Sequence, residues 1–219
     1  MIPMQFHRLW YGPREMPQRY KDYGATWPKL NGGKLTDWLD YRPAINRALF
    51  DTAGTTWQPN AGGGKQDSAV AVQRADIASY ELLYQYGGIY LNTDMEARRP
   101  LGDLLAGLDL FLVYEIDGEF PSNAMMGARP GHPFLAHVID LLPKRVAELP
   151  GRGMNEQTGP HLLRQAVATW PHPVHIFPSR MFMPYSYNDM GAQGSELPDA
   201  YAEHHWGHKV PDTDLWGDE

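Results

Sequence analysis

Residues 75–94 read Ala75-Asp-Ile-Ala-Ser-Tyr-Glu-Leu-Leu-Tyr-Gln-Tyr-Gly-Gly-Ile-Tyr-Leu-Asn-Thr-Asp94, and within them the apolar pattern changes from a helix to a strand. Ala75, Ala78, Leu82 and Tyr86 recur at intervals of three and four, which sets them on one helix face; Leu83 widens that stripe. Gly87 falls where a helix ends in the left-handed conformation open to glycine without penalty. Gly88 turns the chain, and Ile89-Tyr90-Leu91 is a short apolar run suited to a buried strand. Asn92, Thr93, Asp94 and Glu96 follow at once. A strand ending in amide and acidic side chains presents them in the crevice at its carboxyl end, where open α/β sheets bind ligands. The pattern predicts an α/β protein with a polar site around residues 92–96.

Composition narrows the rest. The 219 residues suit one α/β domain spanning 1–219 with a sizeable core. A net charge of −7 argues against nucleic acid, whose phosphates need a surplus of Lys and Arg. Cysteine is absent, which excludes disulfides and thiolate zinc sites. The polar, aromatic beginning Met4-Gln5-Phe6-His7 lacks the pattern of a signal peptide, and the run Leu110 to Tyr114 is far too short to span a bilayer. The expectation is a soluble, cytoplasmic protein without a transmembrane segment.

Outward from the central stretch, Met4 to Trp10 reads as a strand and Pro17 opens a helix to about Ala25. Lys34 to Trp38 reads as a second strand, and Ala44 to Ala53 as a helix led by Pro43. Gly54 to Gln66, with Gly62-Gly63-Gly64 before Lys65, lacks the earlier glycine and the following Ser/Thr of a phosphate-binding P-loop, and reads as a loop. Asp67 or Ser68 caps the helix that enters the central stretch. Beyond it come strands over Asp109–Glu115, Ala124–Ala128 and Val174–Phe177, and helices over Pro133–Glu148 and Pro160–Thr169. Strands alternating with helices indicate an α/β sheet.

Asn92-Thr93-Asp94 by itself suits a turn. Its place after two glycines and a buried strand, with His204 and His205 available near the C-terminus, suggests a metal site. Carboxylate, imidazole and phosphate oxygens make a six-coordinate shell for Mn²⁺, or less ideally Mg²⁺. An acidic protein holding a diphosphate needs such a cation to offset charge repulsion.

The run Tyr80-Glu81-Leu82-Leu83-Tyr84-Gln85-Tyr86-Gly87-Gly88-Ile89-Tyr90-Leu91-Asn92-Thr93-Asp94-Met95-Glu96, with Asp76 before it and Arg99-Pro100-Leu101 after, resembles the sugar-binding region containing the DXD motif of glycosyltransferase family 32. His7-Arg8-Leu9-Trp10-Tyr11-Gly12 is similar to that family's N-terminal strand, and Pro130-Gly131-His132-Pro133-Phe134 to its middle segment. Thr158-Gly159-Pro160 and Tyr201-Ala202-Glu203-His204-His205-Trp206 fall in the family's order as well.

The resemblance implies a GT-A fold, Rossmann-like, with a single mixed sheet flanked by helices. It also implies retaining transfer of a hexose from a UDP- or GDP-linked sugar to a hydroxyl of a glycan, protein or small molecule. Trp10 matches the residue that stacks on the nucleobase, Asp76 the acidic residue that contacts ribose or donor sugar, and Asp94 the direct metal ligand. His7 joins the donor-binding set, His204 or His205 the metal, and Asn123 the sugar side with Glu115 and Asp117. His204-x-x-Gly207 followed by Lys209 looks like the metal and diphosphate block of other retaining GT-A enzymes, with Lys209 as a point charge on phosphate.

Three positions depart from the pattern, one of them the family's closing Ser-Trp, which is replaced around Lys209-Val210. Asn92 replaces the motif's first Asp; its amide oxygen can still contact ribose, and one negative charge is lost from the metal site. Ser79 stands where the family has a helix arginine, which leaves one donor contact to another group such as Arg74. A metal-dependent nucleotide-sugar hydrolase, or a binding module with reduced catalysis, remains the alternative. The block from Tyr201 onward is expected to fold back over the site, with Trp206 as its anchor, yet to be separable from the folded core.

Overall fold

The structure is a computed structural model that describes residues 1–12, 14–54, 66–186, 188–189, 191 and 197–207, without the side chains of 66–68. Most of the glycine-rich loop (55–65) and Lys209 lie outside the described residues. In chain order the elements are β1 (Gln5–Leu9), α1 (Gln18–Asn31), β2 (Lys34–Trp38), α2 (Arg47–Asp51), α3 (Gln66–Tyr86), β3 (Gly88–Leu91), β4 (Met95–Ala97), β5 (Leu110–Ile116), β6 (Phe120–Ala128), α4 (Pro133–Glu148), α5 (Met154–Gln157), α6 (Pro160–Thr169), β7 (Ile176–Phe177) and β8 (Ala202–His204).

Six strands form a mixed sheet in the order β2-β1-β3-β6-β5-β7. β1 runs parallel to β2 and β3, while β6 is antiparallel to β3 and β5. Alternation along the strands supplies both faces. Tyr90, Leu110 and Leu112 join Ile77, Tyr80 and Leu83 of α3 and the apolar faces of α4 and α6. Ile89, Leu91, Phe111 and Val113 point the other way, onto Trp27, Met95, Phe182 and Trp206. Two apolar layers sandwiching one sheet follow from the period of two.

The helix-to-strand switch falls where the sequence puts it. The Gly87 N–H donates to Leu83 O at 2.8 Å. Gly87 and Gly88 both have positive φ, 65° and 94°. A β-carbon on Gly88 would meet Gln5 O at 2.5 Å, so side-chain-bearing residues are excluded there twice over. α3 buries more than one stripe: Ser79 and Glu81 are buried with its apolar residues, because α2, α4 and the sheet enclose it, while Tyr86 is half-exposed against Trp38.

Glu81 explains why the helix expected from Ala44 begins only at Arg47. Its carboxylate accepts the N–H groups of Ala44 and Ile45, both at 2.8 Å, and of Asn46 at 2.6 Å, holding that turn outside the helix. Glu81→Ala should cost about 3 kcal/mol or more by leaving three N–H groups without their acceptor. Urea denaturation checks this; an unchanged midpoint would show that the three donors find water instead.

Three other expectations shift. α1 continues through Pro28 to Asn31, since the buried Trp27 donates its indole N–H to Met95 O at 3.0 Å and fixes the last turns against β4. β6 begins at Phe120, four residues early, pairing with β5 through a bulged register. Beside the single large sheet lies a two-stranded ribbon, β4 with β8, too short to carry a period and joining segments more than a hundred residues apart.

Candidate active site

β3 delivers the chain to the site. The Asn92 N–H donates to Ala124 O at 2.8 Å, and the Met95 N–H closes the following turn on Asn92 O at 3.2 Å. This turn leaves Asp94 buried, at 8% exposure. β8 then lies along β4 with Met95 opposite His204. His204 Nε2 reaches Asp94 Oδ1 at 3.1 Å, and the Gly207 N–H donates to Oδ2 at 2.8 Å. Trp206 makes the second contact possible by turning the chain through a left-handed φ of 49°. Gly207 is confined: a β-carbon there would collide with the Tyr20 hydroxyl. Burial alone would raise the Asp94 pKa, but His204 and the Gly207 N–H hold it well below the usual carboxylate range. Asp94 is therefore ionised throughout the physiological range.

The tail is part of the core. Ala202 and Trp206 are buried, and the Trp206 indole N–H donates to Tyr185 O at 2.9 Å. Removing the chain from Tyr201 would open this core, so the expectation of a separable block does not hold.

A second carboxyl lies behind the first. Asp76, on α3, accepts from Asn123 Nδ2 at 2.6 Å and from the Thr158 hydroxyl at 2.7 Å. Its burial pushes the pKa up to about 7, against the pull of those two donors. The buried Tyr90 feels the charge of both carboxyls, and its hydroxyl donates to Asn92 Oδ1 at 3.4 Å. An Asp at position 92 would add a third carboxylate to this half-buried group. The amide therefore lightens the like-charge load.

The face of the ribbon away from His204 carries Glu96, Glu203 and His205, whose ligand atoms lie within 4.8 Å of one another. His205 Nε2 is 2.9 Å from Glu96 Oε2, and its ring stacks on Tyr23 at 4.1 Å. Arg98 bridges Glu96 and Glu203, and Tyr185 donates to Glu203 at 2.6 Å. Against the burial that would raise it, Tyr185 and Arg98 keep Glu203 below its ordinary range.

Other expected positions separate. Trp10 is half-buried, with its indole N–H on Arg14 O at 2.7 Å. His7 has both ring nitrogens taken: Trp38 Nε1 donates to Nδ1 at 3.1 Å, so Nε2 carries the proton and donates to Gly87 O at 3.1 Å. Burial lowers its pKa to about 4. No ring nitrogen of His7 is left for a sugar, so its place is structural. The Ser79 hydroxyl bonds Asp76 O within its own helix, and Arg74 lies over Phe50, so neither replaces the missing helix arginine. Glu115 is raised by burial, offset by His204 and Ser122. Asp117 accepts from the Ser179 N–H at 2.6 Å.

Sequence reasoning missed Arg8. It is fully buried on β1, pairs with both oxygens of Asp37 at 2.7 and 2.9 Å, and donates to the carbonyls of Tyr20 and Thr93. Its sequence signal is slight: a cation beside Leu9 on a strand that also carries Gln5 and His7. Gly24 in α1 exists for it, since a β-carbon there would strike the guanidinium. Arg8→Met should cost about 3 kcal/mol, because it breaks a buried pair and frees the turn that carries Asp94. Chemical denaturation reads the loss; wild-type stability would mean the pair is idle.

Residues 33–111 match the family model described as "Glycosyltransferase sugar-binding region containing DXD motif". That stretch runs from the start of β2 through α3, β3 and the Asn92–Asp94 turn into β5. The match is confined to that stretch. The chain that carries it is 36% identical over 151 residues to inositol phosphoceramide mannosyltransferase 1 of Schizosaccharomyces pombe, covering 65% of this chain and 43% of that protein. An uncharacterized glycosyltransferase of Acanthamoeba polyphaga mimivirus is 27% identical over 173 residues, covering 78% of this chain and 66% of the viral one. The chain thus spans less than two thirds of either relative. Among solved structures, the PaToxG glycosyltransferase superposes with a TM-score of 0.57 over 76% of this chain and 68% of that chain, at 13% identity. This chain shares its GT-A-like, mixed α/β fold.

Proposed function

We propose that this glycosyltransferase moves a hexose from a nucleoside diphosphate sugar to a hydroxyl acceptor, with a divalent cation and with retention at the anomeric carbon. One observation carries the reading: Asp94, His204 and the Gly207 N–H, distant in sequence, converge at the carboxyl end of β3 beside the Asp76–Asn123 pair.

The donor set fits a cation such as Mn²⁺. Asp94 stays ionised, an imidazole nitrogen lies 3.1 Å from it, and the buried His204 Nδ1 has no partner among the described residues. Asp94 and His204 would hold the ion, while Glu96 and His205 pair with each other on the other face of the ribbon. When bound, the metal neutralises charge on the diphosphate leaving group.

The protein's own residues supply the rest. Gly207 and Arg8 fix the Asp94 turn before any ligand arrives, which removes reorganisation from the reaction. Asp76, held by Asn123 and Thr158, accepts hydrogen bonds from ribose or sugar hydroxyls. Trp10 offers a half-exposed ring to the base, and Lys209 a cation to a phosphate. Same-face attack by the acceptor, with the leaving phosphate oxygen as base, accounts for retention without an enzymic nucleophile.

The test is a thermal-shift series with UDP, GDP, UDP-glucose and GDP-mannose, each with and without Mn²⁺. GDP-mannose is included because the yeast relative is named a mannosyltransferase. The expected result is a rise in melting temperature with one base only when Mn²⁺ is present, since a ligand of the folded state stabilises it. Equal shifts without metal would overturn the metal reading, and no shift with any nucleotide would overturn the donor reading. Release of free sugar without acceptor would favour a hydrolase.

A further inference from the structure

A cleft of about 520 Å³ opens at the other end of the sheet. Its volume lies within the roughly 300–1,000 Å³ of small-molecule sites. Asp109 and Arg129 flank the far end of the β5–β6 pair, whose last rungs join Leu110 to Ala128. From Asn123 to Arg129 along β6 is roughly 20 Å of extended chain, so this cleft is remote from Asp94. Its opposite wall is the chain leaving α6, with Trp170, His172 and His175, and its floor includes His132 at the start of α4.

Arg129 pairs with Asp109 and Pro130 O, but other polar groups of the cleft are unused. The Trp170 indole N–H and the rings of His172 and His175 have no hydrogen-bond partner among the described residues. His132 Nε2 stands 3.7 Å from Asp109 Oδ2, beyond hydrogen-bond reach. Trp170 is half-buried and braced edge-on by Phe134 and His172, at 5.8 and 5.5 Å. A fixed indole beside unpaired imidazoles, a carboxylate and a guanidinium offers an apolar surface with donors and acceptors around it.

The charges select the ligand. Asp109 and Arg129 lie 3.4 Å apart and cancel, and the half-exposed Asp109 repels anions. α4 adds no anion site. Pro133 has no N–H, His132 Nδ1 already accepts from the Phe134 N–H, and the next two N–H groups bond His132 O. Burial lowers the His132 pKa, which keeps its ring neutral.

We propose that this cleft is a second saccharide site, taking an uncharged sugar unit that packs on Trp170 while its hydroxyls bond Asp109, Arg129 and the free imidazoles. The proposal rests on the glycosyltransferase reading only in the choice of probes. It is tested by calorimetric titration of the full chain with α-1,2-mannobiose, cellobiose and maltotriose to about 20 mM, beyond the millimolar affinity expected of one sugar unit. At least one should bind, about tenfold more weakly to Trp170→Ala and to Asp109→Ala, and unchanged to Asp94→Asn. Asp109 is mostly exposed, so its variant reports even if Trp170→Ala unfolds. Binding lost in Asp94→Asn but kept in both cleft variants would place the sugar in the carboxylate site and overturn the proposal. So would no binding by any of the three, or inorganic phosphate competing for the cleft. Nucleotide shifts with Mn²⁺ in Asp109→Ala test the donor reading separately, so either reading can fail alone.

Discussion

Asp76→Asn should make the protein more stable at pH 8 and a poorer binder of nucleotide-sugar. The folded carboxyl has a pKa of about 7 against an ordinary 3.8. Below about pH 4 both folded and unfolded chains hold the proton, and burial costs nothing extra. Between about pH 4 and 7 the unfolded chain releases a proton that the folded chain keeps, so stability falls as pH rises. Above about pH 7 the loss is constant, on the order of 4 kcal/mol. Asparagine has no such proton to lose.

The substitution also fits its partners. The amide oxygen accepts from Asn123, and the amide N–H donates to the Thr158 hydroxyl, which can turn its own proton to Met154 O, now 3.3 Å away. Denaturation at pH 4 and pH 8 should show a gap between variant and wild type that is near zero at pH 4 and several kcal/mol at pH 8. An equal gap at both would remove the burial argument. Weaker binding with greater stability is the pattern of a residue kept for function at a cost in folding.

Asp94→Asn should abolish Mn²⁺-dependent stabilisation by nucleoside diphosphate and lower turnover about a thousandfold. A unit charge about 4 Å from a cation is worth on the order of 4 kcal/mol at an effective dielectric of 20. Asparagine is chosen over alanine because the carboxylate also docks the tail. Its oxygen keeps the Gly207 N–H, and its N–H₂ donates to His204 Nε2 once that ring carries its proton on Nδ1, which has no partner to lose. Without ligand the variant should still fold but be less stable than wild type at pH 7, because the depressed Asp94 pKa is folding stability that a neutral amide lacks. Retained metal-dependent binding in this variant would remove Asp94 from the metal site.

How much of this was legible in the sequence depends on the range of the interactions. The α3–β3 switch could be read from its glycines and the change of period, because helix end, turn and strand are each set by neighbours within a few residues. α4, with Pro133 at its start and an unbroken apolar face, falls on its expected residues for the same reason. Asp76 and Asp94 stand out as carboxyls flanking that switch. Their opposite protonation does not, because it depends on Asn123 and Thr158 in one case and on His204 and Gly207 in the other.

Only the tertiary structure decided the long-range partners. The β4–β8 ribbon joins two three-residue strands, too short for a periodic signal, and its pairing brings His204 rather than His205 to Asp94. His7 looked available in sequence until Trp38 and Gly87 closed on both its nitrogens. Arg8 looked like an ordinary strand cation until folding enclosed it between Asp37 and the carbonyls of Tyr20 and Thr93. Local pattern determines where a chain bends and which face is apolar. Burial determines which charges survive, and burial is a property of the assembled layers.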